Sequence, residues 1–343
     1  MNIRLFYLLF FLCCFQSTSV AKTVVIGYLP SYYGLMKQVE HVDFTKITHL
    51  TLAFLHPNKQ GVFLEDKQPT CMVGEFGKPL KSDEIVYAVN KAHQAGVKVL
   101  ISFGGASYPS CAGDWQQLLL ADKRAAIVNR LLHFVDEFNL DGVDIDIEGN
   151  LLTEIDNQGN FLPFVKALNN SLVAQEKLLT AATGSYIGGM LPQSTLKYFD
   201  YVSIMSYDAV GPTWGDVGVE HSTLIKAKAD IQLWKKRGLT KEKLILGLPF
   251  YGYGFGQYKA NYSFNDLLNE FGEKAIQADL IGKNCELCSY LTFNGYKTTK
   301  AKTELAIKQG AGVMIWELSK DHQSSKGLLN IINETVKNYQ GVQ

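Results

Sequence analysis

The sequence DGVDIDIE at residues 141–148 decides the fold and points to the chemistry. Side chains alternate between the two faces of a β-strand, so Asp144, Asp146 and Glu148 share one face and the apolar residues between them share the other. Packing of the apolar face against helices leaves the three acids inside a barrel. Buried carboxyl groups are costly unless they pair or share protons, and chains carry that cost mainly at functional sites.

Seven more strands of this kind lie along the chain, and helical patterns separate them. The predicted strands are 24–30, 48–55, 97–103, 141–147, 178–184, 201–207, 244–250 and 312–318. The predicted helices are 82–95, 115–138, 160–176, 223–237, 298–309 and 326–339. Eight β–α units without a break in composition predict an α/β fold with a single (β/α)8 TIM barrel over 22–343. A doubly wound open sheet is the alternative, but GYLP at 27–30 is not the Gly-rich turn of a dinucleotide site.

The composition excludes several classes of protein. The chain has 343 residues and is 47% hydrophobic, which excludes a disordered protein. The 33 basic residues balance 33 acidic residues, so no basic field attracts nucleic acid or an anionic membrane. Aromatic residues make up 12% of the chain, which suits a protein that stacks on sugar rings.

The first 21 residues have the pattern of a secretory signal peptide. Arg4 precedes an apolar run at 5–15, and Ser19-Val20-Ala21 supplies small residues for cleavage. The run is shorter than the roughly 20 apolar residues that span a bilayer. The sequence therefore predicts a secreted protein, extracellular or periplasmic, with no membrane association after cleavage. An uncleaved anchor is the alternative.

Four cysteines follow the leader: Cys71, Cys111, Cys285 and Cys288. An even number outside the cytosol suggests disulfides, and four cysteines allow three pairings. The CxxC pair at 285–288 resembles half a zinc site, but no second Cys pair or nearby His supplies the two further ligands. A local loop disulfide is the better interpretation. Cys71 and Cys111 lie in loops after consecutive predicted strands, which allows them to pair.

The spacing of the three acids favours proton transfer over metal binding. Residues two apart on a strand are separated by roughly 6.6 Å, which puts Asp144 and Glu148 about 13 Å apart. One ion cannot bind both at ligand distances of about 2–2.6 Å. Asp144 and Asp146 can share a proton, and Glu148 at the open end of the barrel can act as a general acid if its pKa is raised. No metal and no cofactor are expected. A polar layer that only fills the barrel is the alternative.

The residues Asp141, Asp144, Asp146 and Glu148 match the DxxDxDxE signature of glycoside hydrolase family 18, and the chain resembles that family of chitinases and endo-β-N-acetylglucosaminidases. Other segments resemble the family's strand motifs: Gly27-Tyr28, Ala53-Phe54, Ser102-Phe103-Gly104-Gly105, Met205-Ser206-Tyr207-Asp208 and Trp316. The resemblance covers essentially the whole chain after the leader.

The resemblance implies catalytic roles. Glu148 protonates the glycosidic oxygen, and the N-acetyl oxygen of the substrate attacks the anomeric carbon, an exception to the two-carboxylate scheme. Asp146 binds the acetamido N–H and stabilises the cationic intermediate, and Asp144 shares its proton. Tyr207 orients the acetamido oxygen. Asp141 has a structural role.

The resemblance also implies residues that bind or shape the substrate pocket. Trp316 forms the floor of the −1 sugar site, and Asp208, Met205 and Tyr28 line the same pocket. Trp214, in the Gly/Pro loop 211–215, is a candidate for the +1 subsite. The strand end at Ser102, Gly104 and Gly105 either contacts substrate or only shapes the turn.

The predicted function is a secreted, monomeric hydrolase of β-1,4-linked N-acetylglucosamine, with chitin or chito-oligosaccharide as its partner. Two alternatives remain: an endo-β-N-acetylglucosaminidase acting on N-glycan cores, and a chitin-binding lectin without activity. Many family members carry a small α+β domain between the seventh and eighth strands. Here helical patterns at 263–271 and 298–309 occupy part of the interval 256–311 and leave only 272–297 between them, so no such domain is expected.

Overall fold

The computed structural model describes residues 22–341 of the chain. The predicted signal peptide at 1–21 lies outside the described residues. No helix within 22–341 combines the length and apolar character needed to cross a membrane.

Eight parallel strands close into a barrel, which confirms the predicted TIM-barrel fold. The strands are Val24–Pro30, His49–His56, Lys98–Gly104, Gly142–Asp146, Leu178–Thr183, Tyr201–Ile204, Leu244–Pro249 and Gly312–Trp316. Each pairs with the next in chain order, and the first pairs with both the second and the eighth. The fourth, sixth and eighth strands end earlier than predicted, so Glu148, Tyr207 and Asp208 lie in the loops just beyond strand ends.

Helices surround the barrel. They are Leu35–Val39, Ser82–Gln94, Trp115–Leu118, Arg124–Glu137, Gly149–Asn157, Phe161–Val173, Leu224–Lys236, Tyr296–Gln309 and Leu328–Gly341. The helix predicted at 115–138 is two helices, because the chain turns at Leu120, whose carbonyl accepts from the N–H groups of Lys123 and Arg124. The fifth unit replaces its helix with a 3-10 segment, Gln193–Tyr198.

The core has two parts, which follow from the alternation of side chains along the strands. Outward-facing residues such as Val143 and Ile145 are fully buried between the barrel and the helices. A second cluster lies toward the barrel interior and mouth, and it includes Tyr28, Tyr207 and Met314. The fourth strand therefore buries its apolar face against helices and turns its acids inward, as its sequence predicts.

A small antiparallel sheet lies between the seventh and eighth barrel strands. Its strands are Tyr251–Phe255, Asn261–Ser263, Leu280–Gly282 and Tyr290–Thr292, and it carries the helices Phe264–Phe271 and Glu273–Gln277. The sequence predicts no added α+β domain in this interval, and its patterns do not reveal these strands, because each is only three to five residues long. The small sheet supplies side chains to the mouth of the barrel.

Two disulfides confirm the cysteine interpretation. Cys71 bonds to Cys111 across a sequence separation of 40, and Cys285 bonds to Cys288 within one loop. The CxxC pair is therefore a loop disulfide, and its sulfurs are not available as zinc ligands.

Candidate active site

Asp144 lies deep in the barrel and is surrounded by hydroxyl donors. Its Oδ2 accepts from the hydroxyls of Tyr28 and Ser102, both at 2.7 Å, and its Oδ1 accepts from Thr180 at 2.6 Å. Ser102 and Thr180 lie directly opposite Asp144 on the neighbouring strands, so the register of the sheet creates these contacts. Burial raises the pKa of Asp144, and the three hydrogen bonds oppose that shift because they favour the ionised form.

Asp146 occupies the next inward position and lacks such partners. Its Oδ1 is buried without a hydrogen bond. Burial, followed by the nearby charges of Glu148 and Asp144, raises its pKa well above the usual value. The sequence predicts that Asp144 and Asp146 share a proton, but no hydrogen bond joins these two side chains in the described structure. The oxygens of Asp144 are instead occupied by hydroxyl groups.

Glu148 lies at the open end of the barrel. It precedes the helix Gly149–Asn157 with an extended backbone, and its side chain is half-buried. Burial raises the pKa of Glu148 to about 7, and the negative charge of Asp208 contributes to the shift. A carboxyl group with that pKa is partly protonated at neutral pH, which is the requirement for a general acid.

Asp146 and Glu148 share a cavity with several of the predicted pocket residues. One cavity at the barrel mouth is lined by Tyr28, Phe54, Ala106, Asp146, Glu148, Ala182, Met205, Tyr207, Asp208, Met314 and Trp316. Trp316 stacks on Phe54 with ring centroids 5.7 Å apart and meets the edge of Tyr28 at 5.6 Å. Tyr207 is 8% exposed, and its hydroxyl lies 3.9 Å from the sulfur of Met314. An indole, two phenols and three acids thus share one small cavity.

Asp208 is held by the small sheet. Its Oδ1 accepts from the hydroxyls of Tyr251 at 2.6 Å and Tyr253 at 3.1 Å. Trp214 donates from its indole nitrogen to the Asp208 carbonyl at 3.2 Å, and its ring, 45% exposed, meets the edge of Tyr253 at 5.4 Å. Trp214 is therefore a fixed, exposed aromatic surface beside the cavity, which suits its predicted role in the +1 subsite.

The glycines after the third strand have a structural reason to be glycine. Gly104 has φ +111, and a Cβ there would lie 2.4 Å from the Asp146 carbonyl oxygen. A Cβ on Gly105 would collide with the ring of Phe54 at 2.8 Å. These positions let the third strand approach Asp146 and Phe54 closely, and their contact with substrate stays a prediction.

Asp141 lies at the opposite end of the fourth strand from Glu148. Its Oδ2 accepts from the Val99 N–H and pairs with His93 Nε2, each at 2.7 Å. This carboxylate ties the fourth strand to the third strand and to the helix Ser82–Gln94. It does not line the cavity, in keeping with the structural role expected of it.

Three residues of the site make contacts that the sequence did not predict. Thr180 completes the hydroxyl set around Asp144, Tyr253 binds Asp208, and Phe54 stacks under Trp316. The register of the sheet places the Thr180 hydroxyl within hydrogen-bond distance of Asp144, and a single sequence does not reveal that register. The Tyr-x-Tyr pattern at 251–253 would have been informative only if a strand had been predicted there.

No group of three or more His, Cys, Asp or Glu side chains suited to a metal ion occurs within residues 22–341. Asp144, which lies on the same strand as Asp146, has hydroxyl donors on both oxygens.

Comparison with known proteins gives consistent relatives. The sequence profile of Glycosyl hydrolases family 18 matches residues 24–321. The crystal structure of the GH18 chitinase ChiB from the chitin utilization locus of Flavobacterium johnsoniae is 29% identical, with a TM-score of 0.78, and the match covers 93% of this chain and 96% of that one. A chitinase from Bacteroides thetaiotaomicron is 25% identical, with a TM-score of 0.75, over 92% and 97% of the two chains.

Curated relatives are larger than the matched region. A chitinase-like effector of Moniliophthora roreri is 29% identical over 69% of this chain and 59% of its own length. Chitinase A1 of Niallia circulans is 24% identical over 88% of this chain and 57% of its own length. The chain therefore spans less than two thirds of these relatives, one named as an enzyme and one as an effector.

Proposed function

The chain belongs to glycosyl hydrolase family 18, and we propose that it cleaves β-1,4 linkages in polymers of N-acetylglucosamine, with chitin or chito-oligosaccharides as substrate. One observation carries the proposal: Glu148, whose pKa is raised to about 7, lines one cavity together with Asp146 and Trp316. A lectin needs neither a tuned acid nor a desolvated carboxyl group next to it. The two solved structures described above, which are 29% and 25% identical to this chain, are both described as chitinases.

The cavity supports a substrate-assisted, retaining reaction. Trp316 provides an aromatic floor for a sugar ring, and Glu148 donates its proton to the glycosidic oxygen as the bond to the leaving sugar breaks. The sugar bound on Trp316 carries the acetamido group, and the oxygen of that group attacks the anomeric carbon of the same ring and forms an oxazolinium intermediate. Water then opens the intermediate, while the Glu148 carboxylate takes a proton from that water.

The remaining polar groups position and stabilise the acetamido group. The unpartnered Oδ1 of Asp146 is free to accept the acetamido N–H, and the ionised form of this carboxyl group stabilises the developing positive charge. Among the described residues, the Tyr207 hydroxyl has the Met314 sulfur, at 3.9 Å, as its hydrogen-bond partner, so it is available to donate to the acetamido oxygen. Both groups are desolvated, which strengthens their interaction with the reacting atoms.

We propose that the protein works outside the cytosol, as a monomer. Two disulfides favour an oxidising compartment. The cavity already brings together Glu148, Asp146, Tyr207 and Trp316, so the proposed reaction uses no group from a second copy. Size-exclusion chromatography with light scattering measures the oligomeric state, and a dimer mass would contradict the proposal.

A product profile tests the function and its alternatives together. Purified protein is incubated with chito-oligosaccharides and, in parallel, with a high-mannose glycopeptide. NMR recorded in the first minutes identifies the anomer that forms first. Cleavage of the chito-oligosaccharides with initial β product supports the proposal. Cleavage of the glycopeptide alone favours the endo-β-N-acetylglucosaminidase alternative, binding without turnover favours the lectin, and initial α product contradicts the retaining mechanism.

A further inference from the structure

Lys302 is a buried amine behind the active site. It lies in the helix Tyr296–Gln309, and its side chain has 0% exposure. Its Nζ donates to the carbonyl oxygen of Ser222 at 2.8 Å, the hydroxyl of Ser222 at 2.7 Å and Oδ1 of Asn294 at 2.8 Å. These three neutral oxygens match the three N–H groups of an ammonium. Burial lowers the pKa of Lys302 to about 7, so the chain carries a cost to keep this group.

Ser222 transmits this contact to the peptide bond that leads into Tyr207. The Ser222 hydroxyl, which accepts from Lys302, donates to the carbonyl oxygen of Ser206 at 2.8 Å. Asn294 completes the network, because its Nδ2 donates to the Ser222 carbonyl at 2.7 Å. A continuous hydrogen-bonded path therefore joins Lys302 to the backbone beside Tyr207.

The segment held in this way lies outside the strand ladder and depends on contacts made by side chains. The sixth barrel strand ends at Ile204, so Tyr207 and Asp208 lie beyond its ladder. Asp208 has φ +58, a left-handed conformation that is uncommon for a residue with a side chain. Such a conformation persists only where the surroundings enforce it. Tyr251 and Tyr253 hold the Asp208 carboxylate, and the Ser222 hydroxyl anchors the peptide bond that leads into Tyr207.

We propose that Lys302 is a positioning residue of the active site: through Ser222 it fixes the Ser206–Tyr207 peptide and so places the Tyr207 hydroxyl for the acetamido group. Lys302 touches neither the cavity nor the reacting atoms. The inference rests on the proposed function, since it assigns the residue an effect on that reaction.

Lys302→Met tests the proposal, with Lys308→Met as the matched control. Methionine fills similar space without the N–H donors, and Lys308 is an exposed lysine of the same helix. Steady-state hydrolysis of chito-oligosaccharides should show kcat lowered by up to about 100-fold, the size expected for a misplaced group. KM should stay within about threefold, because binding on Trp316 is unaffected. Lys308→Met should match the wild type.

A thiazoline analogue of the intermediate gives a second readout. Lys302→Met should weaken its binding in proportion to the loss of kcat, because the analogue uses the group that Tyr207 orients. A purely structural role would lower thermal stability without this proportionality. Equal inhibition of variant and wild type, with kcat lowered, would overturn the positioning role.

A double-mutant cycle with Tyr207→Phe identifies the path of the effect. Without the hydroxyl there is nothing for Lys302 to position, so Lys302→Met should change kcat little in the Tyr207→Phe background. Additive losses in the double variant would show that Lys302 acts by another route.

Ser222→Ala keeps the proposal testable if Lys302→Met does not fold. It removes only the hydroxyl link to the Ser206 carbonyl, and it should lower kcat with KM retained. A wild type that hydrolyses chito-oligosaccharides, together with folded variants of equal kcat, would refute the Lys302 inference alone. A wild type that hydrolyses none of them would refute the proposed function itself.

Discussion

The lower end of the carboxylate row, Asp144, and its upper end, Asp146 and Glu148, have opposite environments, although Asp144 and Asp146 lie on one face of one strand and Glu148 follows just beyond its end. At the lower end, Asp144 receives three hydrogen bonds from hydroxyl groups on three other strands. At the upper end, Asp146 keeps a buried oxygen without a partner, and burial raises the pKa of both Asp146 and Glu148. The lower carboxyl group is satisfied by the protein, and the upper two are left for a substrate.

This difference predicts that Asp144 contributes mainly to stability, whereas Asp146 and Glu148 contribute mainly to catalysis. A carboxyl group that the protein satisfies with hydrogen bonds helps to hold neighbouring strands together. A desolvated carboxyl group without partners is energetically unfavourable in the free protein, and it gains most when a ligand supplies what is missing. Substitutions at the two ends should therefore affect different measurements.

Glu148→Gln should have the largest effect on activity. The amide occupies the same space but cannot donate a proton, and loss of general-acid catalysis typically costs about 10²–10⁴-fold. Binding of chito-oligosaccharides, measured by calorimetry, should persist because Trp316 and Tyr207 are unchanged. Glu154→Gln, an exposed residue of the adjoining helix, is the control. Activity of Glu148→Gln within threefold of wild type would remove Glu148 from its proposed role.

Asp146→Asn should have the next largest effect. Asparagine is nearly isosteric and leaves the cavity intact, but it cannot become negative beside the oxazolinium ion. Loss of one preorganised electrostatic contact costs about 10²–10³-fold in kcat. Steady-state assays on chelator-treated protein measure the loss. If chelation itself abolished activity and a divalent ion restored it, these carboxyl groups would be metal ligands.

The barrel and its catalytic strand were predictable because both depend on local patterns. Alternation along 141–148 assigns the acids to one face, and eight apolar runs separated by helical patterns predict a closed barrel. Glu148, Asp146, Tyr207 and Trp316 line one cavity as predicted. The hydrogen-bond partners of Asp144 could not be predicted from local patterns, because the hydroxyl groups that donate to it come from distant parts of the chain.

The small sheet shows where sequence patterns lose their information. Its strands have three to five residues, too few for alternation to stand out. The contacts of Tyr251 and Tyr253 with Asp208 depend on how this sheet lies over the barrel mouth. Lys302 gave no signal either, since one lysine in a helical pattern is usually exposed.

Asp144→Asn should affect stability more than chemistry, and it tests the lower end of the row directly. An amide nitrogen cannot accept a hydrogen bond, so at least one hydroxyl among Tyr28, Ser102 and Thr180 loses its acceptor. A buried polar group without a partner costs about 1–3 kcal/mol of unfolding free energy. Chemical denaturation measures this cost, with exposed Asp122→Asn as control. A larger loss of kcat than for Asp146→Asn would reverse the assigned roles.

Asp208→Asn should have the smallest effect, a shift in the pH dependence of activity. It tests whether the charge of Asp208 helps to raise the pKa of Glu148. The charge of Asp208 helps to raise the pKa of Glu148 to about 7, and Glu148 must be protonated to act as an acid. Removing a like charge lowers the pKa, so the alkaline limb of kcat/KM should move to lower pH. The amide oxygen of the new side chain still accepts from Tyr251 and Tyr253, which keeps the loop in place. Asp216→Asn, an exposed acid in the same loop, should leave the profile unchanged. An unchanged or upward-shifted limb in Asp208→Asn would mean that burial alone sets the pKa of Glu148.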